Sequence, residues 1–282
     1  MKLCIFAVCH NSYQEALAFL DSITTSLKNT EVELDFYFID NSTDIDEQCV
    51  DLLMHGSEYF NIYYHRSENL GYIPSISACI RNLELVLSDY EYVCISNVDL
   101  EMSDCFFKNL DAIQLCNTIG VYAPAIISSD LNVDRNPKIV SRPSRLKLVT
   151  NKMLFRYSLG HLILRGINSL RLKIRDYLKP SVAAFNSRSS METVKIYAAH
   201  GSFMILTKAF VNEESELNYP VFLFGEEIYI AERAIALGQS VVYAPDLIVY
   251  DKEHVSTSLM RPTSYRRANY DALTYILSNY KF

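Results

Sequence analysis

The chain has 282 residues, half of them hydrophobic and 21% charged, with eight glycines and eight prolines; that balance excludes disordered, collagen-like and low-complexity proteins and leaves room for one large α/β domain or two small ones. A net charge of −7 and a pI near 5.4 argue against a nucleic-acid partner, because coating phosphate needs a basic face. Seven cysteines (4, 9, 49, 79, 94, 105 and 116) are odd in number, include no C-x-x-C pair and read as reduced core thiols.

The apolar run at residues 3–8 is too short for a signal peptide or a membrane span. The cytoplasm is the expected compartment, with the inner membrane face open as a peripheral location. Further strand-like runs lie at 34–39, 59–64 and 92–96. Helical spacing fills the gaps: Ala16, Leu17, Leu20, Ile23 and Leu27; then Val50, Leu53 and Met54; then Ile76, Cys79, Ile80, Leu83, Val86 and Leu87. Strand and helix in alternation predict an α/β fold with a parallel sheet covered on both faces. Ligands then belong beyond the carboxyl ends of the strands, at Cys9 to Ser12, Asp40 to Ser42, the 67–72 loop and Asn97 to Asp99.

The stretch 135–180 holds twelve Lys or Arg against one acid, Asp176, with Leu146, Val149, Met153, Leu154, Tyr157, Leu162 and Ile163 among the apolar residues at roughly helical spacing. It reads either as a basic amphipathic surface for anionic lipid or as a helical insertion packed on the same chain or a second subunit. Strands are expected again at 194–199, 203–206, 222–225, 241–243 and 247–250, with a helix at 226–237 and a terminal helical pattern at 268–277. The organisation expected is a single domain over 1–282 with an insertion at 135–190 and a C-terminal helix at 262–282.

Several side chains could carry chemistry, each with a plainer alternative. Asp40 closes a strand, where its carboxylate suits a base or ribose, or else caps the next helix. Asn97 and Asp99, two apart, could face one divalent ion or form an ordinary turn. Glu226 and Glu227 at a helix start are favoured by the dipole and could also supply a general base. Gly201 permits close backbone approach of a ligand, or marks a bulge. His254 follows a strand and is either a ligand or a surface histidine.

Taken in order, seven pieces resemble the bacterial family 2 glycosyltransferases of GT-A fold, near the rhamnosyltransferase-like and capsule or O-antigen members. They are Ala7-Val8-Cys9-His10-Asn11-Ser12, Phe38-Ile39-Asp40-Asn41-Ser42, Glu68-Asn69-Leu70-Gly71-Tyr72, Ser96-Asn97-Val98-Asp99, Ala199-His200-Gly201-Ser202-Phe203-Met204, Phe222-Leu223-Phe224-Gly225-Glu226-Glu227 and His254-Val255-Ser256-Thr257-Ser258. The resemblance implies a Rossmann-like, mostly parallel GT-A sheet with helices on both faces plus the basic helical insertion. It implies donor binding by Val8, Asn11, Ser12, Asp40, Asn69, Gly71, Asn82, Asn97 and Gly201. It implies a Mn²⁺ or Mg²⁺ ion held by Asp99 and His254, with Asn97 standing where the family has an acid. Glu227, in place of the usual Asp, becomes the general base with Glu226 beside it.

The implied function is inverting transfer of a sugar from a UDP-, dTDP- or GDP-sugar to a hydroxyl of a glycan or lipid-diphosphate-linked acceptor in cell-surface polysaccharide synthesis. An anionic membrane surface is a further expected partner. Two alternatives stand beside it: a sugar nucleotidyltransferase, whose Gly-rich basic loop has no counterpart in His10-Asn11-Ser12-Tyr13, and a catalytically weak sugar-nucleotide-binding scaffold.

Overall fold

The computed structural model describes residues 1–129, 133–157, 194–252 and 260–282. The expected positions His254 to Ser258 and the part of the basic stretch from 158 onward lie outside them. The first half runs β1 (Lys2–Cys9), α1 (Tyr13–Leu27), β2 (Glu33–Asp40), α2 (Glu47–Met54), β3 (Asn61–Arg66), α3 (Tyr72–Asn82), a 3-10 turn at Leu87–Asp89, and β4 (Tyr92–Asn97). Then come β5 (Leu100–Met102), α4 (Phe106–Asp111), β6 (Ile119–Ser128), α5 (Arg145–Arg156), β7 (Val194–Ile196), β8 (Phe203–Thr207), α6 (Lys208–Val211), α7 (Glu226–Ala236), β9 (Ser240–Asp251) and α8 (Pro262–Asn279).

Nine strands form one sheet in the order β3-β2-β1-β4-β8-β6-β9-β5, and β7 also pairs with β9. The ladders β3–β2, β2–β1, β1–β4 and β6–β9 are parallel, while β8 runs antiparallel between β4 and β6. Alternate residues of β1 enter two different cores. Leu3, Ile5, Ala7 and Cys9 pack with Phe19, Leu20 and Ile23 of α1, whereas Cys4 and Phe6 pack with Ile76, Cys79 and Ile80 of α3. Burial on both faces is why the strand reads as an unbroken apolar run. An aromatic ladder, Phe6–Tyr37–Tyr63, stacks across three parallel strands at 4.9 Å per step.

The structure departs from the expected elements in several places: the helical run expected through Val86 and Leu87 ends at Asn82, with Glu84 in left-handed backbone (φ 50°), and α6 was not expected. Residues 222–225 are an irregular loop rather than a strand, because Phe224 (φ 68°) and Gly225 (φ 82°) both take left-handed backbone. Residues 241–243 and 247–250 join in one strand, β9, whose register against β6 slips between Pro124 and Ala125. Pro124 and Pro245 lie at that shared irregularity, where a missing N–H costs no ladder bond. Strands β5 and β6 and helix α4 are additional to the expected elements. Cys105 and Cys116 are exposed, so the core reading of the cysteines holds for five of the seven.

Candidate active site

The carboxyl ends of β1, β2 and β3 are laced together by loop-to-loop hydrogen bonds. Asn41 N–H donates to Cys9 O (2.8 Å), Asn11 N–H to Ser42 Oγ (2.8 Å) and Thr43 N–H to Asn11 Oδ1 (3.1 Å). His10 Nδ1 meets Asn41 O at 2.9 Å, and Asn69 Nδ2 lies 3.4 Å from that ring nitrogen. Asn11 holds φ 56°, the backbone that turns the β1 end toward β2. Val8 is the next-to-last residue of β1 and Ser12 precedes α1, so Val8, Asn11, Ser12 and Asn69 all gather at this edge.

Asp40 is fully buried, and its carboxylate is saturated by the protein. Ser42 N–H donates to Oδ1 (2.9 Å), the Tyr13 and Tyr64 hydroxyls each donate to Oδ2 (2.9 Å), and Arg66 Nη1 stands 3.3 Å from Oδ1. It caps no helix either, since α2 is capped by Asp46, which accepts from Cys49 N–H at 3.0 Å. Asp40 therefore fixes the loop at the β2 end through these partners. Beside it Asn41 Nδ2 donates to Gly71 O (3.1 Å) and Ser75 Oγ (2.8 Å), and its Oδ1 is left buried without a donor. The orphaned acceptor is Asn41, a position that sequence reasoning passed over.

Gly71 has φ 104°, and a Cβ there would fall 1.9 Å from Phe222 O. Its lack of a side chain brings the 67–72 loop against the 222–225 loop, where Tyr72 N–H donates to Phe222 O (3.1 Å). Asn82 is not part of this edge. It ends α3, about 15 Å along the axis from Tyr72 at 1.5 Å per residue, close to where Glu91 N–H meets Lys2 O at the opposite rim.

The remaining acids converge at the ends of β4, β8 and α7. Asn97 N–H donates to Ser202 O (3.0 Å), which sets Gly201 beside the β4 end. A Cβ on Gly201 would lie 2.5 Å from Glu226 Oε1, so the missing side chain makes room for that carboxylate. Burial, then the Glu227 charge, raises the Glu226 carboxyl to about 8. Burial and the Asp251 charge raise Asp99 to about 6. Asp251 is itself held by Arg135 at 2.9 Å. The Tyr72 hydroxyl is buried without a partner, and the charges of Glu226, Asp99 and Glu227 all act on it. One wall is His200: its ring Nδ1 accepts from Ser202 N–H (3.2 Å), and its backbone N–H donates to Asn136 Oδ1 (2.8 Å). Burial first, then Lys138 and Arg135, hold that imidazole well below its usual range and keep it neutral.

Asp251 and Asn136 were not singled out by sequence because Arg135 and His200, which they meet, lie far off in the chain, and His200 and Tyr72 stood in the quoted motifs without a role. Among the described residues no group of three His, Cys, Asp or Glu forms a ready-made metal cage. One or two hard carboxylates plus ligand phosphates is, however, the ordinary donor set for Mg²⁺, and desolvated Asp99 beside Asp251 suits it. Two surface grooves, one near Glu214, Arg233 and Tyr275 and one near Asp21, Glu101 and Asp104, have none of Asp99, Gly201, Glu226 or Glu227 in their lining.

No family model and no curated protein matches the sequence. Solved structures do. GalNAc-T7 with UDP, GalNAc and Mn²⁺ superposes with a TM-score of 0.57 at 14% identity, over 95% of this chain and 47% of that one. The mannosyltransferase PcManGT from Pyrobaculum calidifontis, with GDP-Man and Mn²⁺, gives 0.56 at 13% identity, over 99% and 65%. S. aureus TarS 1–349 with UDP-GlcNAc gives 0.56 at 12%, over 95% and 64%. The fold is accordingly that of the GT-A glycosyltransferases. The chain spans about half to two thirds of the length of these structures.

Proposed function

We propose that the protein is a metal-dependent, inverting hexosyltransferase of the family 2, rhamnosyltransferase-like type, using a nucleotide-diphosphate sugar in cell-surface polysaccharide synthesis. The observation that carries the reading is the meeting of Asp99, Glu226, Glu227 and Gly201 at the carboxyl edge of a GT-A sheet. GalNAc-T7, PcManGT and TarS, which share the fold, were solved with UDP, GDP-Man or UDP-GlcNAc, and two of them with Mn²⁺.

In this reading Asp99 holds a Mn²⁺ or Mg²⁺ ion together with the donor phosphates, with His254 as an added ligand. The ion supplies charge neutralisation for a leaving diphosphate. Val8, Asn11, Ser12, Asn69, Asn97 and the loop fixed by Asp40 border the nucleotide. The acceptor oxygen forms its bond to the anomeric carbon as the bond from that carbon to the diphosphate breaks, and the acceptor proton passes to Glu227. Burial and the Glu227 charge raise the Glu226 carboxyl above the ordinary carboxylate range, which sets the two adjacent carboxyls apart and leaves the base role to Glu227. A binding protein without turnover is the second reading, favoured by Asn97 where the resemblance implies an acid.

The test is release of nucleoside diphosphate from UDP-, GDP- and dTDP-sugars with an acceptor extract. Glu227→Gln should lower kcat by about 10²-fold or more, the scale of one general base, with donor Kd unchanged. Wild-type turnover in that variant removes Glu227 from the base role. Donor binding by the wild type without release favours the binding protein.

A further inference from the structure

The outer surface of α5 is built for an interface. Leu146 is 77% exposed and Met153, two turns on, 62% exposed, and Tyr157 at the helix end is also 62% exposed. Seven residues separate Leu146 from Met153, which stacks them on one stripe. Arg145 and Arg156 project along one side of that stripe and Lys147 along the other, and α5 carries four basic residues and no acid.

The opposite side of α5 is committed. Leu148 is buried, Phe155 packs on Tyr265 of α8 with ring centroids at 6.3 Å, and Lys152 lies over the Tyr270 ring at 5.2 Å. Exposed Arg261 precedes α8, and exposed Arg267 on α8 lies 3.8 Å from Asp271 of the same helix. It also touches the acid pair's own loop: Phe224 meets Tyr265 at 5.0 Å, and a Cβ on Gly225 would lie 3.2 Å from Ala272. Glu226 and Glu227 follow directly, so one helix separates the acids from the basic, apolar stripe.

We propose that α5, backed by α8, is a docking face for an anionic lipid bilayer, with Leu146, Met153 and Tyr157 entering the interface and the flanking bases meeting lipid headgroups. Charge complementarity selects the occupant. The local charge of α5, four bases and no acid on a chain of net −7, fits a negative surface, and in a twofold pair the stripe would face its own bases. The adjoining sequence 158–180 holds five bases and one acid, the same sign of charge as the edges of the stripe. A nucleic acid would use the bases and leave the apolar stripe wet. The inference rests on the glycosyltransferase reading only for its consequence, that transfer occurs at the bilayer surface.

The experiment is co-sedimentation of the full chain, without nucleotide sugar, with phosphatidylcholine vesicles and with phosphatidylcholine vesicles containing phosphatidylglycerol. Binding should require the anionic lipid and weaken with salt. The double variant L146E/M153E should abolish it. Arg145→Gln and Arg156→Gln should each weaken it about fivefold, the equivalent of about 1 kcal/mol per basic residue at a lipid surface. Lys28→Gln, the same charge change elsewhere, should leave it intact. Equal binding to both vesicle types, or retention in L146E/M153E, overturns the proposal. A dimer that L146E/M153E dissociates assigns the face to self-association and overturns it too. Donor binding measured on L146E/M153E stays at the wild-type level if the glycosyltransferase reading stands, so the two readings fail separately.

Discussion

Glu226 imposes a pH dependence whose sign can be worked out. Its folded carboxyl titrates near 8 and an unfolded glutamate near 4.5, so between those values the folded state binds the extra proton and stability falls as pH rises. Glu226→Gln removes that fall. Its melting temperature should exceed the wild type's by a margin that grows from pH 4.5 to 8 and is flat above, read by a thermal melt series; a constant margin contradicts the burial assigned to Glu226. Tyr72 makes a second prediction. Its hydroxyl is buried without a partner, a condition that costs about 1–3 kcal/mol. Tyr72→Phe should therefore leave the ligand-free protein as stable as wild type or more so in urea unfolding, while marked destabilisation would show a hidden partner.

At the scale of elements, two contacts hold the late helices and loops over the sheet. Arg142 makes a two-pronged pair with buried Glu232 of α7, Nε to Oε1 at 2.8 Å and Nη2 to Oε2 at 2.5 Å, and Tyr197 also donates to Oε1 at 2.7 Å. Arg142→Met should cost about 2–3 kcal/mol in denaturant unfolding, below the fully buried range because the arginine is half exposed. Gly71→Ala meets both a left-handed φ and the Phe222 carbonyl, and should cost a similar about 2–3 kcal/mol. Much of this scale was legible in sequence. The strands β1, β2 and β4 declare themselves because both faces are buried, and the chemistry was placed at the strand ends by topology alone. The misreading of 222–225 shows the limit: alternating aromatics there imitate a strand, and only the left-handed backbone at Phe224 and Gly225 reveals a loop. Asp40 was placed at the right edge, yet its tie to Tyr13, Tyr64 and Arg66 depends on three elements meeting in space. Arg135 and Arg142 counted as surface bases in sequence, whereas Asp251 and Glu232 hold them in the fold.

At the scale of the molecule, a mixed sheet with a core on each face presents one edge at which the loops after β1, β2 and β3 and the late acids meet, and the basic helix α5, backed by α8, stands beside the acids. Among the described residues no helix is long and apolar enough to cross a membrane. The central claim is that Asp99 and the neighbouring loops bind a nucleoside diphosphate through a divalent ion. The most direct measurement is the thermal melt of wild type and Asp99→Ala with UDP, GDP and dTDP, each with and without Mn²⁺. A ligand at a hundredfold excess over its Kd stabilises the native state by about 2.7 kcal/mol. For a chain of this size that is a rise of about 5 °C. The account predicts such a rise for one nucleotide, only with Mn²⁺, and its loss in Asp99→Ala. A rise that is indifferent to Mn²⁺ and survives in Asp99→Ala, or no rise with any of the three, would contradict it.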